Sequence, residues 1–150
     1  MPATLPLDES VAVYGLPAVR ESVPKARRLT CEFAPESMTR GQCEKLSLAV
    51  TEVVANAVRH SGSSEEIRLI LTAKDCYLRV RVVDGGNGLV PRPGAMSSDP
   101  GAGFGLFLVE QVTRRWGVTR EEQKTRVWFE IDYAEGESGQ MQPDAPCDPL

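Results

Sequence analysis

An α+β fold is what this sequence predicts: a two-layer sandwich whose mixed, mostly antiparallel sheet carries its helices on one face. Three observations predict it. Apolar residues recur at helical spacing from about Thr39 to His60. Two alternating runs, Ile67 to Ala73 and Tyr77 to Val83, flank the turn Lys74-Asp75 and read as paired strands. A further helical stretch then leads into a hairpin-like pair, Trp116 to Thr119 and Thr125 to Tyr133.

Residues 1–9 hold two prolines and two acids and read as a loose arm before a domain spanning 10–133. Ser10 to Leu16 has the β-branched and aromatic character of a short edge strand. Ser22-Val23-Pro24 reads as a helix start, with serine able to cap and proline tolerated in the first turn. That helix runs through Ala26, Leu29 and Phe33 and breaks before Pro35. In the next helix, Leu46, Val50, Val53, Val54 and Ala57 fall on one arc, with Lys45, Glu52, Asn56 and Arg59 on the opposite arc. Ser61-Gly62-Ser63-Ser64 ends it. In the second of the paired strands, Leu78, Val80 and Val82 alternate with Arg79 and Arg81, the pattern of a sheet with one face covered and the other more exposed. Asp84 to Pro100 contains three prolines and no apolar periodicity, and long loops of this kind in compact domains are functional or disordered. A helix from about Gly103 to Arg115 follows, and from 134 to 150 the composition is that of a disordered tail.

With 150 residues, 41% hydrophobic and 25% charged, the chain is long enough to bury a core as one domain. A net charge of −4 without any Lys/Arg-rich run argues against direct nucleic-acid binding. Cys31, Cys43, Cys76 and Cys147 lack CxxC spacing and are accompanied by one histidine, so free thiols in a reducing compartment are the simpler reading than zinc. No basic-then-apolar leader pattern opens the sequence, and no apolar run approaches the roughly 18 residues of a membrane span. A cytoplasmic protein without membrane contact is expected.

Three clusters carry chemistry. Glu52 and Asn56, four residues apart, project from one side of their helix. An amide oxygen can ligate Mg²⁺ without adding charge, and a carboxylate one turn away can take a proton from an attacking hydroxyl. Asp84 stands where a strand gives way to Gly85, Gly86 and Gly88, so a carboxylate can accept from an exocyclic amine while a flat base lies close to the backbone. Gly101, Gly103 and Gly105 lie where a loop enters a helix, a setting suited to phosphate. No GxxxxGK[ST] is present, and GxGxG after a Pro/Gly loop is not the dinucleotide fingerprint. Taken singly, the Glu52/Asn56 pair reads first as a solvated helix face and Asp84 as an ordinary Asp-Gly turn, and the glycine run can be a ligand-free hinge.

In order along the chain, Glu52-xxx-Asn56-Ala57-xx-His60, Asp84-x-Gly86-x-Gly88 and Gly101-x-Gly103-x-Gly105-Leu106 resemble the N, G1 and G2 boxes of the GHKL ATPase superfamily, whose domain is the Bergerat ATP-binding fold. The short chain and its leading strand before SVPKARR resemble the anti-sigma-factor serine kinase branch, over about residues 10–133. The resemblance implies ATP and Mg²⁺ as cofactors, Asn56 as the metal ligand and Glu52 as catalytic base. It implies that Asp84 recognises the adenine amine, that Gly86 and Gly88 shape the base pocket, and that Gly101, Gly103, Phe104, Gly105 and Leu106 hold the phosphates. Thr125 matches, more loosely, a threonine that supports the adenine-binding aspartate through water. His60, at the helix end, fits capping or packing better than catalysis. Asn87 and Val90 stand where relatives often carry proline in the first glycine box.

The function so implied is that of an ATP-dependent serine/threonine protein kinase that binds a sigma factor or phosphorylates an anti-sigma antagonist, and a homodimer is compatible with it. The alternative is a non-catalytic ATP-sensing module that sequesters a regulatory partner; the presence of Glu52 favours the kinase. A detached histidine-kinase catalytic domain is disfavoured by the single histidine and the lack of a dimerisation helix pair.

Overall fold

Eight elements follow one another: β1 (Ser10–Pro17), α1 (Ser22–Phe33), α2 (Arg40–Arg59), β2 (Glu66–Ala73), β3 (Tyr77–Asp84), α3 (Phe104–Val112), β4 (Arg115–Glu121) and β5 (Lys124–Asp132). The computed structural model describes residues 10–60, 66–84, 104–121 and 124–133, with backbone alone for 104–106 and 121. The expected arm 1–9, the loop beyond Asp84 up to residue 100 and the expected tail 134–150 lie outside the described residues.

The strands form one sheet in the order β1-β2-β3-β5-β4, and every neighbouring pair is antiparallel. The fold is thus α+β as expected, with an antiparallel sheet rather than a mixed one among the described strands. β1 occupies an edge, also as expected. Period-2 alternation sends Leu78, Val80 and Val82 of β3 and Val127, Phe129 and Ile131 of β5 to the helix-covered face, where all are buried. Arg79, Arg81, Arg126, Trp128 and Glu130 therefore point to the opposite, open face.

Helix α2 is the centre of the helical layer, packing against α1, α3, β3 and β5. Its start is fixed by a capping box: Gln42 N–H donates to Thr39 Oγ1 (3.0 Å), and Thr39 N–H donates to Gln42 Oε1 (2.8 Å). Its end is closed by His60 N–H donating to Asn56 O (3.0 Å), so His60 is the capping residue. Leu46, Val50, Val53, Val54 and Ala57 are buried, as the helical arc requires. Asn56 is also buried, against the expectation that it faces away from the core. With neighbours on several sides, α2 has too little free circumference to expose its whole polar arc.

Two local readings are corrected. Ser22 does not cap α1; its hydroxyl donates to Pro17 O (2.6 Å), tying the helix start to the end of β1, and Glu21 is the capping position without a side-chain bond. Helix α3 stops at Val112 instead of Arg115, because Arg114 N–H already donates to Glu130 O (2.8 Å) and the chain has joined the sheet. The expectation of free thiols holds for Cys31 and Cys43, whereas Cys76, in the β2–β3 turn, is disulfide-bonded. Among the described residues no helix is long and apolar enough to cross a membrane.

On the open face, Glu130 is fully buried beneath arginines. Its Oε2 accepts from Arg79 Nε (2.9 Å) and Nη2 (2.7 Å), and its Oε1 accepts from Arg115 Nε (2.8 Å). Arg79 also lies over the Tyr77 and Trp128 rings, 5.7 and 5.9 Å from their centroids. Gly117, paired directly with Trp128, lets the indole lie across β4: a Cβ there would sit 2.8 Å from its Cζ2 and Nε1.

Candidate functional site

The helix-covered face ends in a polar corner. Continuing the inward set Leu78, Val80, Val82 by two residues reaches Asp84, and continuing Ile131, Phe129, Val127 reaches Thr125. The register of β3 and β5 places these two residues directly opposite one another. Both are buried at 4% exposure, so an acid and a hydroxyl sit side by side at the rim of an apolar core.

Thr125 Oγ1 is fully buried and has no hydrogen-bond partner. A buried polar group left unmade costs about 1–3 kcal/mol. The corner thus holds an orphan hydroxyl beside a carboxylate acceptor, which is the donor and acceptor set that an exocyclic amine and a bridging water would complete. On this test the residues present fit a purine carrying an amino group.

Glu52 and Asn56 lie on α2, the helix that packs on β3 and β5. Asn56 is 8% exposed, while Glu52, one turn earlier, is half-buried. A neutral amide tolerates this burial better than a carboxylate would. Next to Glu52, Thr51 Oγ1 accepts from Arg27 Nη1 (2.9 Å), fastening α1 to α2. Among the described residues no group of three or more His, Cys, Asp or Glu could hold a metal ion. Mg²⁺ needs no such cage, since it is commonly held by one or two protein ligands together with substrate phosphates and water.

Phe104, Gly105 and Leu106 form the first turn of α3, which packs against α2. The leading N–H groups of a helix have no intrahelical acceptor, and that end of the helix favours anions. Gly86, Gly88, Gly101 and Gly103 lie outside the described residues. The structure therefore sets Asp84 and Thr125 opposite one another in the β3–β5 register and places Glu52 and Asn56 on α2, which packs against these strands. Sequence reasoning missed the burial of Asn56; a polar residue one position before the apolar Ala57 and three after the apolar Val53 was the available signal.

Comparison with known proteins bears on the fold and the family. The sequence profile of the histidine kinase-like ATPase domain matches residues 16–131. No curated protein matches the sequence significantly. Among solved structures, the RsbU and RsbW domains of Rv1364c from Mycobacterium tuberculosis share the fold, with a TM-score of 0.63 and 18% identity. That match covers 81% of this chain and 32% of the other, so this chain spans about a third of that protein's length. From the profile match across most of its length, and with an α+β sheet-and-helix architecture of the Bergerat type, the chain belongs to the histidine kinase-like ATPase domain family.

Proposed function

We propose that this chain is an ATP-dependent serine/threonine protein kinase of the anti-sigma-factor type, built on a domain of residues 10–133. It acts in the cytoplasm by binding a sigma factor or by phosphorylating an anti-sigma antagonist. The observation that carries the nucleotide part is the buried Asp84–Thr125 pair with its orphan hydroxyl. The family match and the fold shared with a protein containing an RsbW domain support the regulatory part.

In this reading Asp84 accepts a hydrogen bond from the adenine amine, and Thr125 Oγ1 joins it through a water. Asn56 offers its amide oxygen to Mg²⁺ from a largely desolvated position, where a second charge would be costly. Glu52, better exposed, is free to take the proton from an incoming seryl or threonyl hydroxyl. The first-turn N–H groups of α3, with Gly101 and Gly103, hold the phosphates, while Gly86 and Gly88 shape the base pocket. When bound, Mg·ATP supplies the transferable phosphoryl group and the metal offsets its charge.

Calorimetry with ATP and GTP, followed by phosphotransfer assays on co-purified antagonist, tests the proposal. ATP binds and GTP does not, because guanine presents a carbonyl where Asp84 needs a donor; Asp84→Asn weakens ATP binding markedly. Glu52→Gln retains ATP binding and slows phosphotransfer by about 10²–10⁴-fold, the usual contribution of a general base. Equal affinity for GTP removes the adenine assignment. An ATP-responsive complex with no transfer by the wild type replaces the kinase with a non-catalytic ATP-sensing module.

A further inference from the structure

The face of the sheet opposite the Asp84–Thr125 corner carries a cavity of about 410 Å³, within the size range of small-molecule sites. Arg79, Arg81, Arg115, Arg126, Trp128 and Glu130 line it, with Thr119 at its side. Four arginines against one carboxylate leave an excess of three positive charges in one concave site. That excess is unevenly placed. Glu130 engages Arg79 and Arg115, which fixes one end of the cavity as a wall. At the other end, among the described residues, neither Arg81 nor Arg126 belongs to an ion pair, and Arg81 Nε is buried with no hydrogen-bond partner. Burial, with the positive Arg79 and Arg126 beside it, holds the Arg81 guanidinium below the usual arginine range. A stranded donor among like charges is an incomplete arrangement, and an anion completes it.

The strand register turns these two arginines into a clamp. Arg81 stands directly opposite Trp128, and Arg126 lies two residues from Trp128 on the same face of β5. Arg81 and Arg126 are therefore diagonal neighbours, about 7–8 Å apart at the backbone, near enough for both long side chains to close on one group. A phosphate monoester brings nearly two negative charges and three acceptor oxygens, and an arginine fork matches two such oxygens at a time. A carboxylate brings one charge and leaves most of the excess uncompensated. The Trp128 indole, lying across Gly117, supplies an apolar wall for whatever carries the phosphate. The net charge of −4 disfavours nucleic acid as the occupant, and a second copy of this face would set arginines against arginines.

We propose that the open face holds a binding site for a small molecule bearing a phosphate monoester, its phosphate clamped between Arg81 and Arg126 and its carrier resting against Trp128. The site is independent of the nucleotide reading, since it lies on the opposite face of the sheet and uses none of the same residues. It gives the domain a second ligand, recognised by charge and acceptor number.

Calorimetry on the full chain in phosphate-free buffer, with phenyl phosphate as the probe, tests the site. The wild type binds it, and Arg81→Gln and Arg126→Gln, each verified as folded by circular dichroism, weaken binding by at least about tenfold, the loss expected for one charge-assisted hydrogen bond. Arg81→Lys keeps the charge but removes the buried Nε donor, and it also weakens binding, by about threefold or more. Arg40→Gln removes an arginine from the exposed start of α2 and leaves binding unchanged. Benzoate, a carboxylate on the same ring, binds at least about tenfold more weakly than phenyl phosphate. No binding of phenyl phosphate at about 10 mM, or binding that survives both Arg81→Gln and Arg126→Gln, overturns the site. Equal binding of benzoate overturns the ligand class. Tighter binding of tetraglutamate than of phenyl phosphate overturns the small-molecule assignment in favour of an acidic protein partner.

Discussion

Replacing Glu130 by Gln isolates the electrostatic keystone of the open face while preserving its volume. The wild-type carboxylate is fully buried and accepts three charge-assisted bonds from two arginines. The amide keeps one acceptor oxygen and turns its NH₂ toward the other guanidinium, donor against donor. Breaking a buried pair costs about 3–5 kcal/mol when the partner charge is trapped. Arg79 and Arg115 are not trapped: their side chains are 25% and 39% exposed and can draw in water. That places the loss near the lower end, about 3 kcal/mol. For a chain of this length each kcal/mol moves Tm by about 2–4 °C, so thermal unfolding followed by circular dichroism falls by about 6–12 °C. A double-mutant cycle with Arg115→Gln returns a coupling of about 0.5–3 kcal/mol, since the two side chains touch. A Tm shift under about 2 °C, or no measurable coupling, refutes the view that Glu130 is held by its arginines.

Two further outcomes follow from particular atoms. Thr125→Val removes the orphan Oγ1 without changing shape, so the ligand-free protein is at least as stable in urea. The same variant binds ATP more weakly by about 1 kcal/mol, roughly fivefold, as measured by calorimetry. Gly117→Ala sets a Cβ 2.8 Å from the Trp128 indole, which must tilt. Its cost is about 1–3 kcal/mol in urea unfolding, with a changed tryptophan emission spectrum as the direct readout.

Helix α2 and strands β2 and β3 were legible because their signals are local: apolar period, capping residues and alternation all lie within a few turns of chain. The expected helix from about Thr39 to His60 is observed as Arg40–Arg59, with Thr39 and His60 as its caps. What the sequence withheld depends on contacts between distant segments. Asn56 reads as polar surface until α1, α3 and the sheet close around α2. Ser22 reads as a cap because its alternative acceptor, Pro17 O, comes within reach only after β1 turns into α1. The arginine-lined cavity needs β3, β4 and β5 in register to bring Arg81, Thr119 and Trp128 together. Of the site residues, Asp84 was marked by its strand-to-glycine setting, while the pairing with Thr125 was expected only from family resemblance.

In the proposed function, that pairing would tie nucleotide recognition to strand alignment. Asp84 meets Thr125 on the covered face only while β3 and β5 keep their register. A slip of one residue would exchange every side chain between faces, turning Asp84 out among the arginines and Val83 inward. Such a misaligned chain could retain much of its hydrogen bonding, yet it would have no adenine corner. Nucleotide would therefore act as a proofreader of the sheet: at a hundredfold excess over Kd it adds about 2.7 kcal/mol to the aligned state alone. The ligand would select its own fold out of the near-misses.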